Sequence, residues 1–142
     1  MKSIIAIAAA ALISLPAVAA DKDSKAMASF LREVAYSKNL AKYDDAKVSL
    51  DGFVFMVEPM QDQPGYYIAQ LSDSNSGGRA VHKVIGARLL CVINKQVAKT
   101  LNPHGYVQLT AHVRDIQEAN IQDYPGAPMR HTRLIVSNCN FM

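Results

Sequence analysis

The sequence predicts a mainly β protein: five strands in one small domain, an N-terminal α-helix ahead of them and a short helix between strands three and four. Three observations carry this. After residue 46, apolar residues recur at every second position in several separate runs, the spacing of half-buried strands. Pro-Gly pairs at 64–65 and 125–126 punctuate those runs as turns. Before residue 40 the apolar spacing is instead three and four, which is helical.

The first twenty residues read as a leader. "MKSIIAIAAAALISLPAVAA" carries one early positive charge, Lys2, then an apolar run from Ile4 to Leu15, a break at Pro16 and small residues. That is the layout of a secretory signal peptide over residues 1–20, cleaved after Ala20. The uninterrupted run is too short to span a bilayer comfortably. No later stretch is long and apolar enough for a transmembrane helix, and no cysteine stands at the cleavage site to take a lipid. The expectation is a soluble single domain over residues 21–142, periplasmic or secreted, with one modest core.

Within that domain, "DSKAMASFLREVAYSKN" places Met27, Phe30, Leu31, Val34 and Ala35 on one stripe, predicting a helix over about 23–39. Ser24 or Asp23 could cap its start and Asn39 could close it. "KVSLDGFVFMV" then alternates as strand one, with Gly52 marking a bulge or sharp bend. "EPMQDQPG" is a loop turning at Pro64-Gly65, and "YYIAQLS" is strand two, which pairs with strand one as a hairpin. "DSNSGGRA" reads as a flexible loop, and "VHKVIG" is ambiguous between strand and loop. Strand three is "ARLLCVIN". Asn94 caps the short helix "KQVAKTL", which "NPHG" ends. Strand four, "YVQLTAHVRDI", turns Val107, Leu109, Ala111 and Val113 inward. After the loop "QEANIQDYPGAPM", strand five is "RHTRLIVSNCNF".

The chain past the leader holds two cysteines, Cys91 and Cys139. An exported chain with an even number pairs them, the alternative being two buried free thiols. A bond between them closes a loop of nearly fifty residues, which chain entropy values at roughly 4 kcal/mol. Five strands with a helix between the third and fourth is the layout of the OB-fold, a small five-stranded Greek-key barrel. In that topology strand three lies beside strand five, so Cys91 and Cys139 can meet across neighbouring strands and tie down the end of the chain.

The sequence also resembles the tRNA_anti-like family of exported and lipid-anchored bacterial OB-fold domains. The pieces that carry the resemblance are "VAYSKNLAKYDDAKVSLDGFV", "RLLCVINK", "LNPHGYVQLTAHV" and "RLIVSNC", with Tyr43, Gly52–Val54 and Asn138–Cys139 at the family's short motifs. One departure is Ala111, where strand four often carries glycine. The resemblance implies fold and export; it does not imply tRNA binding, and the family's functions are largely unassigned.

Charge is segregated. Residues 74–114 contain no Asp or Glu but hold Arg79, Lys83, Arg88, Lys95, Lys99 and Arg114, whereas residues 21–73 carry nine acids against six bases. Such segregation makes either a basic face or an ordinary mixed surface. The histidines lack zinc-site spacing, and only His112 and His131, on strands four and five, form a pair worth checking. No Gly-x-Ser-x-Gly and no phosphate-cradling loop is present, and no cysteine is left over for nucleophilic work. Neither an enzyme, a metal nor a cofactor is expected.

OB domains bind ligands across strands two and three. Here that face would include Tyr66, Tyr67, Arg79, Lys83 and Arg88, aromatics beside bases that suit an anionic ligand, although Tyr67 shares a face with Ala69 and Leu71 and can equally be core. The expected function is a non-enzymatic binding or scaffold module of the bacterial envelope. Its partner would be an envelope protein or an anionic ligand such as a glycan or lipid head group. Two alternatives remain: a periplasmic accessory of a DNA-transfer or secretion system that binds single-stranded nucleic acid, and a glycan-binding toxin-like subunit.

Overall fold

The computed structural model describes residues 25–76, 79–81, 86–122 and 124–142. The expected leader at 1–20, the first residues of the expected 23–39 helix, His82 and Lys83 lie outside them. In chain order the elements are β1 (Lys25–Ala26), α1 (Met27–Tyr36), a 3-10 turn (Leu40–Tyr43), β2 (Lys47–Pro59), β3 (Tyr66–Ser72) and β4 (Ser74–Ser76). They continue with β5 (Arg79–Val81), β6 (Ala87–Asn94), α2 (Lys95–Thr100), β7 (Tyr106–Ile121) and β8 (Arg130–Phe141). The five expected strands are β2, β3, β6, β7 and β8.

These five pair in the order β2-β3-β6-β8-β7, and β2 also pairs with β7, so each has two neighbours. The β6–β8 pairing is parallel and the other four are antiparallel. Strand three therefore lies beside strand five, as expected. β2 serves both halves of the sheet: residues 47–53 pair with β7 and residues 53–59 with β3, Phe53 belonging to both sets.

Gly52 sits just before this changeover, but the register shifts fall elsewhere, between Val54 and Met56 and between Val113 and Asp115. Close approach explains the glycine better than a bulge does. A Cβ at position 52 would lie 2.8 Å from the Ser72 carbonyl oxygen and 3.1 Å from Met27 Cβ.

The inward side chains follow the period-two pattern. Leu50, Val54, Ala69, Leu71, Leu89, Cys91, Leu109, Ala111, Val113 and Ile135 are all buried in one core cluster. α1 adds Met27, Phe30, Leu31 and Val34 to that cluster. It is shorter than expected at both ends: Ala26 precedes it with no side-chain cap, and Ser37 follows it. Lys25 and Ala26 instead extend alongside β2, opposite Leu50 and Asp51. Four buried apolar side chains contribute on the order of 6–12 kcal/mol, against about 1 kcal/mol for a cap, so packing outweighs the missing cap. Tyr43 closes the 3-10 turn onto the helix, edge-on to Phe30 at 6.1 Å between ring centroids, with its hydroxyl donating to Glu33.

The C-terminus of α1 is held from a distance. Arg133 on β8 donates through Nη1 to the carbonyl oxygens of Val34 and Ser37, both at 2.8 Å. Cations stabilise the carbonyl end of a helix, and hydrogen bonds from a charged donor are among the stronger ones. Replacing Arg133 by Met is expected to cost about 2 kcal/mol, read as a lower denaturant midpoint. An unchanged midpoint would show that the helix is held by its apolar face alone.

Two expected turns form as read. Gln63 and Tyr124 each accept from the backbone three residues on, with Gly65 at φ 88° and Gly126 at φ 90°. Asn94 caps α2, its side chain accepting from Val97 N at 2.9 Å. Two other segments differ from expectation. Part of the glycine-containing loop is paired, with Ser74–Ser76 antiparallel to Arg79–Val81 as β4 and β5. β7 also continues through Ile121, paired with β8 out to Arg130, where the sequence suggested a loop. Most of residues 114–121 are exposed on both faces, so they carry no alternation to read, and it is the pairing with β8 that makes them a strand.

Ser137 on β8 is fully buried, and its Oγ has no hydrogen-bond partner among the described residues. An unsatisfied buried hydroxyl costs about 1–3 kcal/mol. Ser137→Ala is therefore expected to raise the melting temperature by a few degrees, and a fall in a thermal scan would mean the hydroxyl is satisfied in solution.

Candidate functional site

Cys91 and Cys139 are bonded, with Cα atoms 5.5 Å apart. Their position matters for the surface as well as for stability. β6 pairs with β8 only from Ala87–Arg133 to Val92–Asn138. Beyond that point β6 stays with β3, Asn94 opposite Tyr66, and then turns into α2. β8 stays with β7, Asn140 opposite Thr110. The two parallel strands part, and the disulfide stitches them where they do.

A groove of about 890 Å³ lies at this parting. Ile93, Asn94 and Val97 line one side and Asn138, Cys139 and Asn140 the other. Lys47, Thr110 and His112 reach it from β2 and β7, Gln63 from the β2–β3 connection and Tyr66 from the start of β3. His112 Nε2 is 3.3 Å from Asp45 Oδ1. The lining mixes four carboxamides, from Gln63, Asn94, Asn138 and Asn140, and the Thr110 hydroxyl with apolar Val92, Ile93, Val97 and the disulfide at Cys139; Tyr66, His112 and a single Lys or Arg, Lys47, complete it.

Of the five residues proposed from sequence, Tyr66, Tyr67 and Arg88 have described side chains, and these three do not line one site. Tyr66, 47% exposed, lines the groove. Tyr67 faces inward and packs half-buried against the core, beside Ala69 and Leu71. Arg88 lies six residues before Asn94 on β6, about 20 Å further along the strand at 3.3 Å per residue. Arg79 is on the short strand β5, and Lys83 lies outside the described residues. The other bases of the 74–114 segment are spread over α2, which carries Lys95 and Lys99, and β7, which carries Arg114.

A second groove borders the outer face of β3 and β6, the strands across which sequence reasoning put the ligand. Met56, Met60, Ile68 and Leu90 form a shallow apolar groove of about 330 Å³ whose charged lining residues are Glu58 and Asp62.

The histidine pair is not formed either. His112 stands opposite Asn138, whereas His131 stands opposite Asn120 and contacts Glu118 at 2.5 Å. Pairing register separates them, since they lie at different heights on the β7–β8 ribbon. No cluster of three or more His, Cys, Asp or Glu able to hold a metal occurs among the described residues. No helix among those residues is long and apolar enough to cross a membrane.

Sequence reasoning missed Asn94, Asn138 and Asn140 as site residues. Each is an outward-facing polar residue on a strand or at its end, and only the parting of β6 from β8 places them around one concavity. No family model, curated protein or solved structure matches this chain.

Proposed function

We propose that this chain is an exported, non-enzymatic OB-fold module of the bacterial envelope that binds a protein partner or an anionic ligand. The OB reading draws support from the pairing order, with a first strand shared between two halves and a third strand parallel to the fifth. A helix between strands three and four agrees with it. The disulfide is compatible with an oxidising, extracellular compartment.

One observation carries the binding role: the groove where β6 and β8 part. Its size, about 890 Å³, falls within the range of ligand sites, and polar side chains converge on it. Single-stranded nucleic acid is a weaker reading, because a strand of phosphates calls for a row of cations and the groove lining offers Lys47.

The test is retention of an envelope component by three forms of the protein: wild type, Asn138→Arg, and a variant with Arg79, Lys83 and Arg88 changed to Ser. The species held by wild type is expected to survive the triple change and to be lost with Asn138→Arg. The reverse pattern would move the binding face to the basic segment and overturn the assignment of the groove.

A further inference from the structure

We infer that the groove between β6 and β8 takes an acidic oligosaccharide: hydroxyl-rich pyranose rings carrying a carboxylate. This rests on the binding role proposed above and names its ligand.

The argument begins with hydrogen-bonding inventory. Asn94, Asn138 and Asn140 bring three carboxamides to one concavity, and Thr110 adds a hydroxyl. A carboxamide donates and accepts at once, as does each hydroxyl of a sugar, so the two match without any change of protonation. Asn94 illustrates the division of labour: its Oδ1 is committed to the Val97 N–H of α2, and its Nδ2 makes no hydrogen bond to another described residue.

An aromatic ring supplies the second element. Tyr66 stands directly opposite Asn94, lines the groove and is 47% exposed, and a tyrosine ring suits stacking on the C–H face of a pyranose. The third element is charge. Lys47 is exposed and pairs in register with His112, which has Asp45 beside it at 3.3 Å. His112 thus already has an anionic neighbour, and Lys47 is left to pair with a carboxylate on the ligand. One lysine suits one carboxylate per repeat. A polyphosphate chain would set several negative charges against that single cation and the nearby Asp45 carboxylate.

The experiment uses the protein purified from the exporting cell with the disulfide intact. Side-chain amide resonances are followed by NMR during titration with three probes: a hyaluronan tetrasaccharide, neutral chitotetraose and the oligonucleotide dT12. The acidic sugar is expected to move the amide signals of Asn94, Asn138 and Asn140 and to bind about tenfold more tightly than chitotetraose. Lys47→Gln removes that tenfold preference and leaves chitotetraose binding unchanged. Asn94→Asp keeps an acceptor for Val97 N–H, so α2 stays capped, yet it loses the Nδ2 donor and repels a carboxylate. It is expected to lower affinity for the acidic sugar at least tenfold with the melting temperature unchanged.

Shifts with dT12 but neither sugar, or a preference for the neutral sugar, overturn the inference. So does the absence of shifts with all three probes. If Asn138→Arg still abolishes retention of an envelope component while no sugar binds, the ligand class is wrong and the binding role stands. If retention and sugar binding both fail, the two readings fall together.

Discussion

Replacing Cys91 and Cys139 together by alanine is expected to lower the free energy of unfolding by about 4 kcal/mol, the chain-entropy value for a bridge of this span. That is a large share of the stability of a domain this size. The bridge spans 48 positions, and the segment it closes contains α2 and the whole of β7. Opening it releases the unfolded chain most, because loop closure is where the entropy lies. It also acts locally. Past Asn138 the end of β8 pairs with β7 alone, so the bond is what couples that end to β6. Chemical denaturation with and without reductant measures the first effect: wild type shifts and the double variant does not. Hydrogen exchange measures the second, with residues 139–141 exchanging faster in the variant than the rest of the sheet. A shift below about 1 kcal/mol would mean that the reduced chain keeps these strands together without help.

Gly52→Ala is expected to cost about 3 kcal/mol, more than a surface change of the same kind. The added methyl would meet the Ser72 carbonyl oxygen at 2.8 Å, and that oxygen belongs to a fully buried residue fixed opposite Phe53 in the β2–β3 pairing. On the other side stands Met27, one of the four α1 residues that anchor the helix. Neither neighbour can withdraw without disturbing the junction of helix and sheet. Gly65→Ala is the informative control. At position 65 nothing lies within 4 Å of the new methyl, and only φ at +88° resists it, a cost of about 1–2 kcal/mol. A thermal scan of the two variants should rank them with position 52 clearly lower. Equal melting temperatures would mean the close approach relaxes cheaply.

Much of this fold is legible in local chemistry. The Pro-Gly turns, the cap at Asn94, the inward residues of β6 and β7 and the helical stripe of α1 each depend on residues within a few positions of one another. Elsewhere the outcome depends on partners far away. The helix start is set where Lys25 and Ala26 lie against Leu50 and Asp51, so no nearby residue signals it. Arg133 reaches the end of a helix almost a hundred positions earlier, and nothing around it in the sequence marks that role.

The candidate site divides in the same way. Tyr66 could be placed on the surface from its strand alone, but grouping it with Arg79, Lys83 and Arg88 assumed that closeness in sequence brings them together, and a strand separates its ends by about 3.3 Å per residue. By itself the sequence determined which residues alternate inward, where the chain turns and which cysteines are available to pair. Only the tertiary structure decided that β6 and β8 part after Val92 and Asn138, and that three asparagines and a tyrosine from three strands surround the gap. The reason is physical: alternation and turn chemistry are properties of neighbouring residues, whereas the point at which two strands cease to pair depends on the path of the whole chain.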